Sequence, residues 1–519
     1  MEFRYAENAK YLILALVGII MSCLGYLTYL FSPLELIVDS MTTLRPGHFI
    51  FNLWTEPPMD VLAKMYIFNV TNPQEFLAGR EKLRVEEIGP YVYQEILKNT
   101  EAVLTGNDTL TYKPVREHIF RPDLSVGSDD DVVTVPNIPL LGIGSYFSSY
   151  SMLFRLGFNA ASMTAKEFVN ITIKQYLWGY EDHLVTFANT FMPHWIDFPT
   201  FGIMDRLTTL DKGNSITINL KEAKDQLGNK ILPYSIARIN GSPGLKEWNY
   251  QDVGVNETSE ENSKCNTVEG AFEAGLFPKN LPENTTLRLY RRAFCRPVTF
   301  NYENKSIDAN GFEVFHYRTD KNYMASGDDY PENKCYCVNN KCLPNGFSSL
   351  SPCYYGIPIV ISQPHFYNAD ENLLKQIDGL EPDREKHDTT ALINPNMGLA
   401  MSAHLRVQVN LLVADSSLNK VRSFRNLMVP LLWIELEVLP PSAYIKFLLN
   451  VVVYIAPITQ TVLMWLLGIL GISMVAAAAL IVFYFPPMRR LEDPYGHRIG
   501  YSPILVIPLS NRLRDTRIS

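Results

Sequence analysis

YLILALVGIIMSCLGYLTYLF, the stretch Tyr11–Phe31, runs 21 residues without a charged side chain. As a helix rising about 1.5 Å per residue it reaches roughly 30 Å, the thickness of a bilayer's hydrocarbon core. A cleaved signal peptide has a shorter apolar run closed by small residues. This one ends in bulky Tyr29, Leu30 and Phe31 and reads as an uncleaved signal-anchor. A second uncharged run, VLMWLLGILGISMVAAAALIVFYF, covers Val462–Phe485. Buried helices of soluble proteins rarely stay uncharged for so long.

Two spans with one long segment between them predict a hairpin with both termini on one side. The layout is then a stub at 1–10, a span at 11–31, an ectodomain at 32–461, a span at 462–485 and a tail at 486–519. The tail holds Arg489, Arg490, Arg498, Arg512, Arg514 and Arg517 against Glu492, Asp493 and Asp515. Positive charge marks the cytosolic side, so both termini are expected in the cytosol. The stub is neutral and the tail carries +3, so the middle carries −11 within a whole-chain charge of −8. An acidic exterior of that size argues against nucleic acid as a partner.

Two further signals place the middle in an oxidising compartment outside the cytosol. Asn-x-Ser/Thr sequons stand at Asn69, Asn107, Asn170, Asn240, Asn256, Asn284 and Asn304, all between the spans. Cys23 lies in the first span, and Cys265, Cys295, Cys335, Cys337, Cys342 and Cys353 crowd together in the middle. An even count there predicts three disulfides, with spacing leaving the connectivity open. Cys335-Tyr336-Cys337 with Cys342 does not match a zinc knuckle, and no metal or cofactor is expected.

The middle is strand-rich. In Leu405–Val413, LRVQVNLLV, apolar Leu405, Val407, Val409 and Leu411 alternate with Arg406, Gln408 and Asn410. That period predicts an antiparallel strand with its polar side toward water. Ile434–Val438 repeats the pattern, with Glu435 and Glu437 on the expected wet side, and Ser215–Leu220 and Phe312–Thr319 are shorter cases. Gly144–Trp195 differs and reads as a helical insertion. Within it Ala165–Trp178 has helical spacing, with Phe168, Ile171 and Gln175 on one face. Phe447–Ala456 is apolar but is broken by Pro457 and Gln460, too short to span, and it is expected to lie at the membrane interface or against the base of the domain.

Enzyme signatures are missing. There is no H-E-x-x-H, Walker loop or G-x-S-x-G, and Gly142-Ile143-Gly144-Ser145 has the wrong spacing for a nucleophile elbow. Asp129, Asp130 and Asp131 read as a solvated turn. The nine His are scattered; His183 and His194 bracket an apolar stretch and are the two candidates for sensing acid.

Six blocks together resemble one family. They are Lys64–Pro73 (KMYIFNVTNP), Glu87–Tyr93 (EIGPYVY), Leu177–Asp182 (LWGYED), Ile359–Asp370 (IVISQPHFYNAD), Ile377–Asp388 (IDGLEPDREKHD) and Ile393–Val413. In order and spacing they are similar to the class B scavenger receptor family, the group of fatty-acid translocases, lysosomal integral membrane proteins and sensory-neuron membrane proteins. The resemblance runs through nearly the whole chain. It implies a two-pass membrane protein with a mixed, β-rich ectodomain: an antiparallel β-barrel-like core, an apical helical cluster at about 144–195, and an internal apolar tunnel. It also implies the pairings Cys265–Cys335, Cys295–Cys353 and Cys337–Cys342.

Some family members bind anionic ligands through apical lysines. Here the matching stretch offers only Lys166, flanked by Arg155 and Lys174, which departs from that pattern. The tails lack cysteines for acylation and an acidic dileucine signal. The last segment does contain Tyr501-Ser502-Pro503-Ile504, a tyrosine-based sorting motif that implies a clathrin adaptor as tail partner.

The leading functional expectation is a scavenger or lipid receptor for fatty acids, sterols or carotenoids and for lipid-bearing particles. It would transfer or internalise them at the plasma membrane, the endosome–lysosome membrane, or both, as a monomer or an oligomer. An endolysosomal receptor for a protein partner is the alternative, and an ectoenzyme the third.

Overall fold

The structure is a computed structural model that describes residues 2–106, 108–209, 212–225, 228–252, 259–273, 275–415, 418–484, 489–492 and 498–502. Asn107, Asn256, Phe485 and Ile504 lie outside the described residues. The chain forms two compact units: Met1–Thr43 with Tyr444–Ser519, and Leu44–Ala443.

The first unit holds two helices long and apolar enough to cross a membrane, Ala9–Phe31 within Glu2–Phe31, and a run from Ala443 to Tyr484. They pack at van der Waals distance because glycines meet: a Cβ on Gly18 would lie 2.7 Å from the Gly471 carbonyl. The expected break at Pro457 does not occur. Phe447–Ala456 is continuous with the second span, and a π turn at Val451–Ile455 precedes the proline. The wider turn relaxes the ladder where the ring's missing N–H and its clash with the preceding turn would otherwise break it. Gln460 also does not end the helix. Its amide oxygen accepts the Leu34 N–H at 2.9 Å and its amide donates to the Ser32 hydroxyl at 3.1 Å, so its polar groups are satisfied within the helical pair.

The second unit is built on a long antiparallel sheet. Its strands run in the order Leu287–Arg291, Arg296–Ile307, Glu313–Thr319, Thr390–Asn394, Leu399–Leu412, Met428–Val438, Val61–Val70, Leu83–Thr105, Thr109–Phe120, Ile216–Asn219 and Ile236–Ile239. The two end strands are joined through Gly270–Phe272. Ile236 donates to the Ala271 carbonyl at 2.6 Å, and Phe272 donates to the Arg288 carbonyl at 2.7 Å. The main path of strands thereby closes into a barrel, while Phe347–Ser349, paired only with Ile359–Ser362, lies off that path.

Cross-strand register puts Ala63, Met65, Tyr91, Tyr93, Leu405, Val407, Ile434 and Leu436 on one inner face. Most of these are buried in the main core. The other face of the central strands is not wet, contrary to the alternation. Gln408 and Asn410 are 0% exposed and Glu435 is 5% exposed. The segment Ile359–Asp388 covers them, and polar groups there bond to each other. Gln408 donates to Asn410 at 2.7 Å, and Asn410 donates to the Ser362 hydroxyl at 3.0 Å. Alternation reports chemical contrast between two faces, and buried polar partners supply that contrast as well as water does.

The helical insertion consists of Ile138–Phe147, Met152–Ala161, Ile173–Trp178, His183–Phe191 and Ile203–Thr209. Phe168–Thr172, expected to be helical, is a strand paired with Val132–Pro136. Its β-branched Val169, Ile171 and Thr172 favour that state. The helix begins only at Ile173, where Thr172 and Gln175 form a capping box. Cys265 is bonded to Cys335, Cys295 to Cys353, and Cys337 to Cys342, and Cys23 is free.

Candidate functional site

The barrel's interior is not filled. Strand Leu399–Leu412 presents Leu405 and Val407 to a hollow of about 40 Å³, which Leu289, Val298, Phe300, Tyr323 and Met324 also line. Val409, next on the same face, lines a second hollow of about 20 Å³ with Ile138, Phe201, Ile357 and Leu431. At that size each has room for about one to three waters. Their walls are hydrocarbon and aromatic, so they suit an apolar guest. Such walls gain about 0.8 kcal/mol for each methylene they remove from water.

Polar groups sit at defined points of this lining. Arg291 reaches the larger hollow and is held by Glu95 at 2.9 Å. Glu95 is buried, and Arg116 (3.5 Å) and His118 (3.4 Å) also face it. Arg116 in turn pairs with Glu273, which accepts a hydrogen bond from the Tyr112 hydroxyl. Burial opposes charge on Glu95, yet Arg291, His118 and Arg116 outweigh it and hold its carboxyl well below the usual carboxylate range. In the smaller hollow the polar group is Arg206, which lies over the Phe198 ring at 4.1 Å.

On the covered outer face, Lys64, His404 and Arg406 surround Glu435, with Arg406 at 2.7 Å. Burial again opposes the charge, and these three overcome it, holding the carboxyl at about 2. Among the described residues no group of three or more His, Cys, Asp and Glu is disposed to hold a metal ion.

The residues singled out from the sequence are dispersed. Arg155 is half-buried on Met152–Ala161, while Lys166 and Lys174 are exposed on a loop and on Ile173–Trp178, so the three stand on three different elements. His183 and His194 are both exposed. Asn170, Asn240, Asn284 and Asn304 are exposed, and Asn69 is half-buried. Thr134 links two of these sequons, donating its N–H to Asn69 and its hydroxyl to Asn170, both at 2.9 Å. The backbone of Tyr501 is in the strand Arg498–Ser502, paired with Arg489–Glu492. Sequence reasoning missed the Glu95 cluster, whose members are spread from position 95 to 291. No local motif marks it, and only an unexplained carboxylate in an apolar strand, Glu95 between Gln94 and Ile96, hints at it.

Terminal apolar helices, a hollow disulfide-bonded barrel and a helical cap define the two-pass class of membrane proteins with one large ectodomain. The CD36 family profile matches residues 13–482, and the chain belongs to that family. It is 29% identical over 432 residues to scavenger receptor class B member 1 of Cricetulus griseus, covering 81% of this chain and 79% of that protein. It is likewise 29% identical over 381 residues to lysosome membrane protein 2 of Homo sapiens, covering 72% and 74%.

Proposed function

We propose that this chain is a lipid receptor whose barrel takes up acyl chains, sterols or carotenoids and hands them to the membrane. The observation that carries the reading is the pair of apolar hollows set in line along one face of Leu399–Leu412. Kinship with a scavenger receptor supports it. The helix Met152–Ala161 supports a docking role toward lipid-bearing particles, since Met152, Leu153, Phe154 and Leu156 are exposed, Leu153 at 78%. That same surface favours a second reading, a receptor for a protein partner in the endolysosomal system.

Mass spectrometry of lipids extracted from the full chain, purified in detergent, tests the first reading. Lipid near one molecule per chain is expected, with less in Val407→Phe, which fills the larger hollow. A folded protein that carries only trace lipid and does not respond to the substitution overturns it.

A further inference from the structure

Two buried histidines outside the hollows are stacked face to face. The His365 and His387 rings lie 4.5 Å apart at an interplanar angle of 4°, and the residues are 6% and 4% exposed. Each ring accepts a backbone hydrogen bond through Nδ1. Glu381 N–H donates to His365 at 2.9 Å, and Asp383 N–H donates to His387 at 2.9 Å. Both Nδ1 atoms must therefore be unprotonated, which puts the single proton of each neutral ring on Nε2. His365 Nε2 donates to Glu87 at 2.5 Å, and Glu87 also accepts from Trp433 at 2.6 Å.

The donors Glu381 and Asp383 belong to a strap, residues 379–388, laid over the sheet. Gly379 anchors its start: at φ +96 it lies on the Val85 carbonyl, where a Cβ would collide. At its far end Asp388 pairs with Arg318 and accepts from Gln363 at 3.3 Å, and the Asp388 carbonyl accepts from Arg406 at 2.6 Å. Gln363, Thr389 and Arg406 are all in the wall of the larger hollow.

We propose that the His365–His387 stack is an acid-released latch. Proton uptake at Nδ1 of His387 turns an acceptor into a donor that faces the Asp383 N–H, so the strap lets go of the sheet and the wall it carries loosens. Charged groups face the pair from every side. Glu87, from Leu83–Thr105, and Asp383, from the strap, favour a charged ring, while Arg406, from Leu399–Leu412, and the other imidazole oppose it. Tyr66 and Trp433, stacked at 3.8 Å, bring no formal charge. Burial first, then the neighbouring imidazole, pushes His387 down to about 4. A ring whose folded value is depressed holds the closed state fully above its ordinary 6.5 and progressively less as pH falls toward about 4. The latch itself is independent of the lipid reading; only its effect on the hollow rests on that reading.

Hydrogen exchange on the full chain in detergent, without added lipid, tests the latch. Between about pH 7.4 and about pH 5, protection factors across 379–389 should fall about 25-fold, the ratio set by an imidazole titrating at 6.5 when open and about 4 when closed. Leu399–Leu412 should keep its protection. The loss should follow pH with a slope near one proton from about pH 6.5 downward, a readout that needs no variant. His387→Asn, which keeps an acceptor but cannot titrate, should lose most of the response, and His183→Asn should retain it. Protection that stays flat down to about pH 5, or an undiminished response in His387→Asn, overturns the proposal. Release of a fluorescent fatty-acid probe should quicken in parallel. A strap that loosens without changing probe release supports the latch and counts against the lipid reading of the hollow.

Discussion

Replacing Glu95 by Gln removes one charge from the interior of the barrel and almost no volume. Glu95 is 7% exposed and is the ion-pair partner of Arg291 among the described residues, whereas Arg116 keeps Glu273. The loss therefore falls on Arg291, left charged in a largely apolar wall. Removing one partner of a buried pair costs about 3–5 kcal/mol. Unfolding entropy of about 2.1 cal/mol/K per residue, over the roughly 400 residues of Leu44–Ala443, amounts to about 0.8 kcal/mol/K, so Tm should fall by about 4–6 °C. Scanning fluorimetry of the detergent-purified chain at neutral pH measures this directly. Glu95→Leu combined with Arg291→Met should recover most of the loss, because two apolar groups replace the pair instead of orphaning half of it. Because its folded carboxyl is held below the ordinary 4.5, the contribution of Glu95 is present above that value and is lost only as pH falls beneath it. The Glu95→Gln effect should thus be as large at about pH 5.5 as at neutrality. A Glu95→Gln protein within about 1 °C of the parent would refute the reasoning.

Three other outcomes are expected. An epitope fused after Ser519 should stay unstained on intact cells and become stained on permeabilisation, since positive charge marks the cytosolic side and this tail carries six Arg. Cys295→Ser breaks the bond to Cys353 at a position that is 0% exposed; the cost of about 2–5 kcal/mol should leave the protein retained early in secretion, read as persistent endoglycosidase sensitivity. Tyr501→Ala should slow internalisation and raise the surface fraction measured by biotinylation, and unchanged uptake would remove the sorting role of that tyrosine.

The spans were legible because nothing but a membrane rewards two such uncharged runs, and the strands because Leu405–Leu411 and Ile434–Val438 alternate cleanly. What alternation could not show is the medium on the polar side. Gln408, Asn410 and Glu435 look like surface residues in one dimension and are satisfied by Ser362, His365 and Arg406 only after the chain has folded back on itself. Phe168–Thr172 failed for a different reason: its apolar spacing fits a helix, but its branched side chains and the partner strand Val132–Pro136 decide otherwise. Pro457 does not break the helix, because a single π turn upstream absorbs it. The hollows were illegible because they are made of absences, bounded by residues more than a hundred positions apart, such as Leu289 and Leu405.

The ring of strands has a seam. Val61–Val70 and Met428–Val438 are laced through seven paired positions, and Leu83–Thr105 is laced still further along its length. At Gly270–Phe272 the ring is buttoned by two backbone hydrogen bonds on each side. At about 0.5–1.5 kcal/mol per bond, opening one side there costs far less than unzipping any of those central pairs. The ring is accordingly joined by the fewest backbone bonds at one place, much as a belt is joined only at its buckle.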